Sequence, residues 1–247
     1  MKESGSKMNV KIKNLYKKFE NKIAVNGINF NISENSTLGL LGPNGCGKTT
    51  TIGMILGLIK PSKGEIYIDG LDINKNDRIK LLEKINFASP YIELPKKLTV
   101  RQNLEIFARL YGVRDIENSI DQIANDLDLK KFIGKKTGEL SSGQKNRVSL
   151  AKSLINEPKL LLLDEPTASL DPDIGDFIRG YLEKYKKNKN VTILLASHNM
   201  SEVERLCDEV IMMKNGSLVD EGTCNQLIKK HGRSNLEETF LKIARGK

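Results

Sequence analysis

No stretch of the 247-residue chain approaches the roughly 18 uninterrupted apolar residues that a membrane-spanning helix needs. Residues 1–6 lack the apolar run of a secretory leader, so a protein working in the cytosol is expected. Cysteine is scarce: Cys46, Cys207 and Cys224 are odd in number and lack metal-finger spacing. That argues against a disulfide framework and fits a reducing compartment. Internal repeats and low-complexity segments are missing too. Charge of one sign does not dominate, because 40 basic residues face 31 acidic ones and leave a net +9. Such a surplus fits nucleic acid, an anionic leaflet or a merely lysine-rich surface. The lysines are scattered among acids, which favours the last, and no nucleic-acid partner is expected.

What is present can bury one sizeable core, or a core plus a small appended lobe. Hydrophobic residues make up 38% and charged residues 29%, ordinary values for a globular domain. From Val10 and Ile12 to Val25, Ile28, Phe30 and Ile32, apolar and polar residues alternate as in antiparallel strands. A short apolar run, Leu38–Leu41, ends in glycine, and a helix is expected from Lys48 to about Leu58. Pro61-Ser62-Lys63-Gly64 then turns the chain into a strand over Glu65–Asp69. Between about 90 and 157 the spacing becomes helical, with Val100, Leu104, Phe107, Ala108 and Tyr111, then Ile116, Ile120, Ile123 and Leu127.

Beyond that helical insertion, Leu160–Leu163 lies between Pro158 and Pro166 and reads as a strand buried on both faces. A helix over Asp173–Lys187, a buried strand over Val191–Ala196 and a short helix over Met200–Cys207 follow. Asn215-Gly216 marks a hairpin. Alternating strands and helices imply an α/β fold with a mostly parallel sheet, whose ligands sit at the carboxyl ends of the strands.

One motif carries specific chemistry. Gly42-Pro43-Asn44-Gly45-Cys46-Gly47-Lys48-Thr49, followed by Thr50, satisfies the pattern G-x-x-x-x-G-K-[ST]. Glycines let backbone N–H groups wrap phosphates without a Cβ in the way. The helix opening at Lys48 adds unpaired N–H donors and its positive dipole end. Lys48 is expected on the β- and γ-phosphates of ATP, and the Thr49 hydroxyl on Mg²⁺. An apolar strand before the loop and a helix after it give the motif its required context.

Two further segments join it. Leu160–Leu163 runs into Asp164-Glu165-Pro166, and side-chain alternation along a strand sends the two carboxylates different ways. Asp164 is expected to hold hydrated Mg²⁺ and Glu165 to act as general base toward water. In Leu140-Ser141-Ser142-Gly143-Gln144, either Ser141 or Ser142 can cap a helix running to about Asn156. A helix of that length spans about 20 Å and separates this cap from the strand bearing Asp164. The cap is therefore expected to serve the ATP of a second copy arranged head to tail.

The order of these segments resembles that of the ATP-binding cassette ATPases. The phosphate loop, Leu140–Gln144, Leu160–Pro166, then Ala168-Ser-Leu-Asp171 and Ser197-His198 match the family's motifs across nearly the whole chain. The resemblance implies a P-loop NTPase (RecA-like) core, an N-terminal antiparallel β-subdomain and a helical insertion. Within a single ATPase domain, 8–89 and 158–222 would form the nucleotide-binding core with its β-subdomain. Residues 90–157 would form the helical subdomain and 223–247 a C-terminal helical extension.

By the same resemblance, Phe19 would stack on adenine and His198 would contact the γ-phosphate and orient Glu165. Ser141, Ser142, Gly143, Gln144 and Asp171 would meet the nucleotide of the opposing subunit. The implied function is transport-coupled ATP hydrolysis by a dimer that powers a separate membrane permease from the cytoplasmic face. The segment Arg233–Phe240, with its Leu-Glu-Glu-x-Phe, is similar to the end of cassettes serving type-2 exporters, and export is expected. One departure stands out. Where the family has a glutamine, this chain reads Phe87-Ala-Ser-Pro-Tyr-Ile-Glu-Leu-Pro95, with Ser89 as its substitute and Tyr91 and Leu94 as candidates for a permease groove. A soluble single-cassette assembly factor is the competing reading, and a small-molecule kinase a more distant one.

Overall fold

The computed structural model describes residues 8–74, 81–90, 92–168 and 170–245. Two sheets organise them. Strands β1 (Val10–Phe19), β2 (Lys22–Ile32), β4 (Lys63–Ile68) and β5 (Leu71–Asp72) form an antiparallel sheet in the order β2-β1-β4-β5. The second sheet has the order β10-β9-β3-β8-β7-β6. Its members are β3 (Thr37–Leu41), β6 (Ile85–Ala88), β7 (Leu160–Asp164), β8 (Thr192–Ser197), β9 (Glu209–Lys214) and β10 (Ser217–Gly222). All its pairings are parallel except that of β9 with the closing hairpin strand β10.

The leucine runs explain why this sheet lies at the centre. Leu160 and Leu162 pack into one apolar cluster with the antiparallel sheet, while Leu161 and Leu163 pack into another with the helices. Along β8, Leu194 and Ala196 face the first cluster, and Ile193 and Leu195 the second. Period-two alternation thus feeds two cores from one continuous run, each buried leucine contributing about 2 kcal/mol.

Helices α1 (Lys48–Ile55), α2 (Val100–Leu110), α3 (Ile116–Asp126), α4 (Ser142–Leu154), α5 (Pro172–Lys189), α6 (Met200–Leu206), α7 (Cys224–His231) and α8 (Leu236–Arg245) cover these layers. Helix α1 stops three residues before the expected Leu58. Gly57 takes φ +69°, and the N–H groups of Leu58 and Ile59 both return to the Gly53 carbonyl at 2.9 and 3.0 Å. That closes the last turn in the manner of a helix C-cap. Strand β6 has no counterpart in the sequence reading. The other expected elements recur with ends shifted by one or two residues, as fraying ends do. Helix α4 ends at Leu154 rather than near Asn156, and α6 ends one residue before Cys207. Among the described residues no helix is long and apolar enough to cross a membrane.

Candidate functional site

Three strand ends build the site. Leu41 of β3 pairs with Ser197 of β8, and Asp164 of β7 pairs with Ala196 of β8. The segments that follow, beginning at Gly42, His198 and Glu165, therefore leave the sheet side by side. Between them opens a cleft of about 440 Å³ whose lining includes Phe19, Lys48, Thr49, Asp164, Glu165 and His198.

The phosphate loop has its shape because two of its glycines, Gly42 and Gly47, admit nothing larger. Gly47 sits at φ +114°, and a Cβ there would lie 2.5 Å from the Ala24 carbonyl oxygen. At Gly42 a Cβ would lie 2.5 Å from both Cys46 Sγ and the Met213 carbonyl oxygen. The β9–β10 turn fastens the loop from behind, Gly216 N–H donating to the Cys46 carbonyl at 3.0 Å. Buried Lys48 donates to the Gly42 carbonyl at 2.6 Å and lies 3.4 Å from that of Pro43. Its ammonium is thus parked inside the curl where phosphate oxygens would take over the acceptor role. Gly47 offers no side-chain cap to α1, so the first-turn N–H groups stay available to an anion.

Opposite the loop, the Thr49 hydroxyl donates to Asp164 Oδ2 at 2.8 Å. Burial raises the Asp164 pKa above the ordinary carboxylate range, as does the nearby Glu165 charge; the Thr49 bond and Lys48 oppose it. A desolvated carboxylate touching a hydroxyl is a hard-oxygen pair suited to Mg²⁺, which keeps water and phosphate as its remaining ligands. Among the described residues no three His, Cys, Asp or Glu side chains gather into a metal cage. An ion held largely by its nucleotide needs none.

Glu165 leaves the strand at φ +55°, a left-handed conformation that costs a non-glycine residue about 1–3 kcal/mol. Its N–H donates to Ala196 O at 2.8 Å, and its carbonyl accepts from Ala168 N–H at 3.0 Å. This turn, rather than strand alternation, separates its carboxylate from that of Asp164. Glu165 Oε2 lies 2.6 Å from His198 Nδ1; the Glu165 side chain is 9% exposed, that of His198 57%. Phe19, half-exposed at the end of β1, has Lys17 Nζ 4.6 Å from its ring centroid.

Not every expected residue meets the cleft. Of the loop, Asn44, Gly45, Gly47 and Thr50 line the cleft, while Gly42, Pro43 and Cys46 do not. Ser141, Ser142, Gly143, Gln144 and Asp171 do not line it. Ser141 proves to be the cap of α4: its Oγ accepts from Gln144 N–H at 3.3 Å, and Gln144 Oε1 accepts from Ser141 N–H at 3.0 Å. Asp171 precedes α5 without a side-chain cap bond. Ser89 is buried after β6 and is also absent from the lining. Gln102 is occupied in the cap of α2, its Oε1 accepting from Thr99 N–H at 2.9 Å. Lys22 and Ala24, which the sequence reading passed over, join the lining from the start of β2. Their only signal was proximity to Phe19.

A profile of the ABC transporter family matches residues 25–168. The Nod factor export ATP-binding protein I of Rhizobium sp. (strain N33) is 35% identical over 237 residues, covering 95% of this chain and 77% of that protein. The bacitracin transport ATP-binding protein of Bacillus licheniformis is 38% identical over 231 residues, covering 92% and 74%. Among solved structures, an ATP-binding subunit of an ABC transporter superposes with a TM-score of 0.86 at 25% identity, over 95% of this chain and 98% of that one. A dimeric ATP-binding cassette in a post-hydrolysis state, bound to ADP and Pi, gives 0.79 at 29% identity over 87% and 98%.

Proposed function

This chain belongs to the ABC transporter family as an ATP-binding and ATP-hydrolysing subunit, and on that premise we propose that two copies share two ATP molecules head to tail. In each site the phosphate loop of one copy would face the Ser141–Gln144 cap of the other. The observation that carries this reading is the distance built into α4. Its 13 residues span about 20 Å, and its capped N-terminus lies off the cleft that holds Lys48, Asp164, Glu165 and His198. An anion-binding helix end with no anion of its own to meet has a use once a second molecule brings one. A similar cassette is dimeric when bound to ADP and Pi, which supports pairing of two copies.

Within one site each side chain has a distinct task. Phosphate oxygens draw Lys48 Nζ away from the Gly42 and Pro43 carbonyls, and the α1 N–H groups bind the same oxygens. Thr49 and Asp164 would hold Mg²⁺, which spreads the negative charge of the β- and γ-phosphates. Glu165 Oε1 accepts a proton from water as the water oxygen attacks the γ-phosphorus in line. The bond to the β-γ bridging oxygen breaks, and its electron pair leaves on ADP. His198, with Nδ1 at Glu165, presents Nε2 to a γ-phosphate oxygen. The Nδ1 contact keeps the base oriented toward the phosphate. Phe19 stacks on the adenine.

Closing and reopening of this dimer would drive a separate permease and hold the chain at the cytoplasmic face of the membrane. Leu94 lines an apolar groove of about 260 Å³ with Pro90, Ile92, Val148 and Leu170, suited to a permease helix; Tyr91, expected beside it, lies outside the described residues. The direction is read as export, because relatives named for Nod factor export and bacitracin transport cover nearly the whole chain. Ser89, the proposed substitute for the family glutamine, would reach the metal or the attacking water only from outside the cleft lining. The direct test is the mass in solution of Glu165→Gln protein. It should be that of the 27.6 kDa chain without nucleotide and twice that with Mg-ATP; an unchanged mass would sink the proposal.

A further inference from the structure

A buried acid behind the site has no role in the chemistry above. Glu202, in α6, is 1% exposed. A carboxylate is almost never so buried without strong partners, and Glu202 has two. Its Oε1 accepts from Thr167 Oγ1 at 3.0 Å and its Oε2 from Ser197 Oγ at 2.5 Å. The identity of those donors matters. Thr167 stands two residues beyond Glu165, inside the turn closed by Ala168 N–H on the Glu165 carbonyl at 3.0 Å. Ser197 is the last residue of β8, immediately before His198, and its Oγ also accepts from Asn199 N–H at 3.0 Å. One carboxylate therefore ties the segment that carries the base to the segment that carries the histidine.

We propose that Glu202 is a positioning residue that fixes the spacing of Glu165 and His198 by bridging Thr167 and Ser197. The 2.6 Å contact between the pair depends on two backbone segments from neighbouring strands, both turning sharply as they leave the sheet. The Glu165 N–H bond to the Ala196 carbonyl joins the segments only where they leave the sheet. Glu202 joins them from the protein side, without lining the cleft itself. Burying a charge here costs stability that an apolar residue would not cost, and the geometry it imposes is the return. Both hydroxyls donate to the carboxylate; glutamine offers one acceptor oxygen and one amide donor in its place, so one of the two hydroxyls loses its acceptor.

This inference rests on Glu165 as base and His198 as its partner, so Glu165→Gln is measured alongside. The test compares kcat, KM for ATP and thermal midpoint for Glu202→Gln, and for Thr167→Val, which keeps the shape of the side chain and deletes the donor. A misplacement near 1 Å lowers turnover on the order of 10²-fold. The expectation is therefore a kcat lowered about 10- to 100-fold in both variants, with KM within about threefold and melting within a few degrees of wild type. Thr167→Ser, which restores the hydroxyl, should recover most of the turnover. Wild-type kcat in Glu202→Gln overturns the inference, as does a loss matched by nucleotide affinity or melting, or failure of both variants to fold. If Glu165→Gln itself turns over normally, the base assignment falls instead.

Discussion

His198 Nδ1 sits 2.6 Å from Glu165 Oε2, although the two residues lie at the ends of different strands and differ fivefold or more in exposure. The buried member is the proposed base, and the exposed one reaches toward the phosphate. Two groups that act through one contact should not contribute independently. His198→Ala is expected to lower kcat by about 10²- to 10⁴-fold while ATP affinity changes little. The double variant with Glu165→Gln should be no slower than the slower single variant. Steady-state turnover of the three variants checks this; additive losses would mean separate roles.

The phosphate loop tolerates no side chain at Gly47. With φ at +114° and a Cβ position 2.5 Å from the Ala24 carbonyl oxygen, Gly47→Ala combines strain of about 1–3 kcal/mol with a backbone clash. Nucleotide affinity should fall at least tenfold, measured by titration calorimetry. Gly45→Ala meets open space and carries only the cost of φ +80°, so it should bind more tightly than Gly47→Ala.

Phe19 presents a half-exposed ring whose partner is the proposed adenine. An aromatic contact of about 1 kcal/mol predicts that Phe19→Ala raises KM for ATP roughly fivefold with kcat nearly unchanged. Phe19→Tyr should restore the wild-type value. A large fall in kcat with KM preserved would instead place Phe19 in the chemistry.

Burial holds the Glu202 pKa above the ordinary glutamate value of 4.5, against hydrogen bonds from Ser197 and Thr167 that pull it down. A group with a raised folded pKa binds more protons in the native state, so its contribution is present below 4.5 and lost as pH rises through the folded value. Wild-type protein should therefore lose stability relative to Glu202→Gln as pH climbs above 4.5. Denaturant melts at a series of pH values give the difference; one that stays flat would show no raised pKa.

Much of this is legible in the sequence because it is written in side-chain type and spacing. Leu160–Leu163 announced a strand buried on both faces, and the loop from Gly42 to Thr49 announced phosphate. What escaped notice had its cause in tertiary structure. Strand β6 contains Asn86, a polar residue in a buried strand, whose amide is satisfied by Asn156 across a gap of seventy residues. The left-handed turn at Glu165 accompanies a hydrogen bond from its N–H to Ala196 of β8, and glutamate is not a residue type that marks such a turn. Glu202, on a short helix after His198, carries no mark in sequence of the Thr167 and Ser197 hydroxyls that meet it in the interior. Helix α1 ends early before Gly57, whose left-handed φ of +69° closes its last turn.

The central claim is that each nucleotide is bound by two chains, and mixing two inactive proteins tests it most directly. Lys48→Ala removes the phosphate grip, and Ser141→Arg blocks the opposing cap; each alone should be nearly inactive. Mixed in equal amounts, half of the dimers pair one variant with the other and contain one intact site, restoring about a quarter of the wild-type sites. ATP hydrolysis that reappears on mixing is the predicted result. A mixture as inactive as its components, or full activity in Ser141→Arg alone, would contradict a shared site.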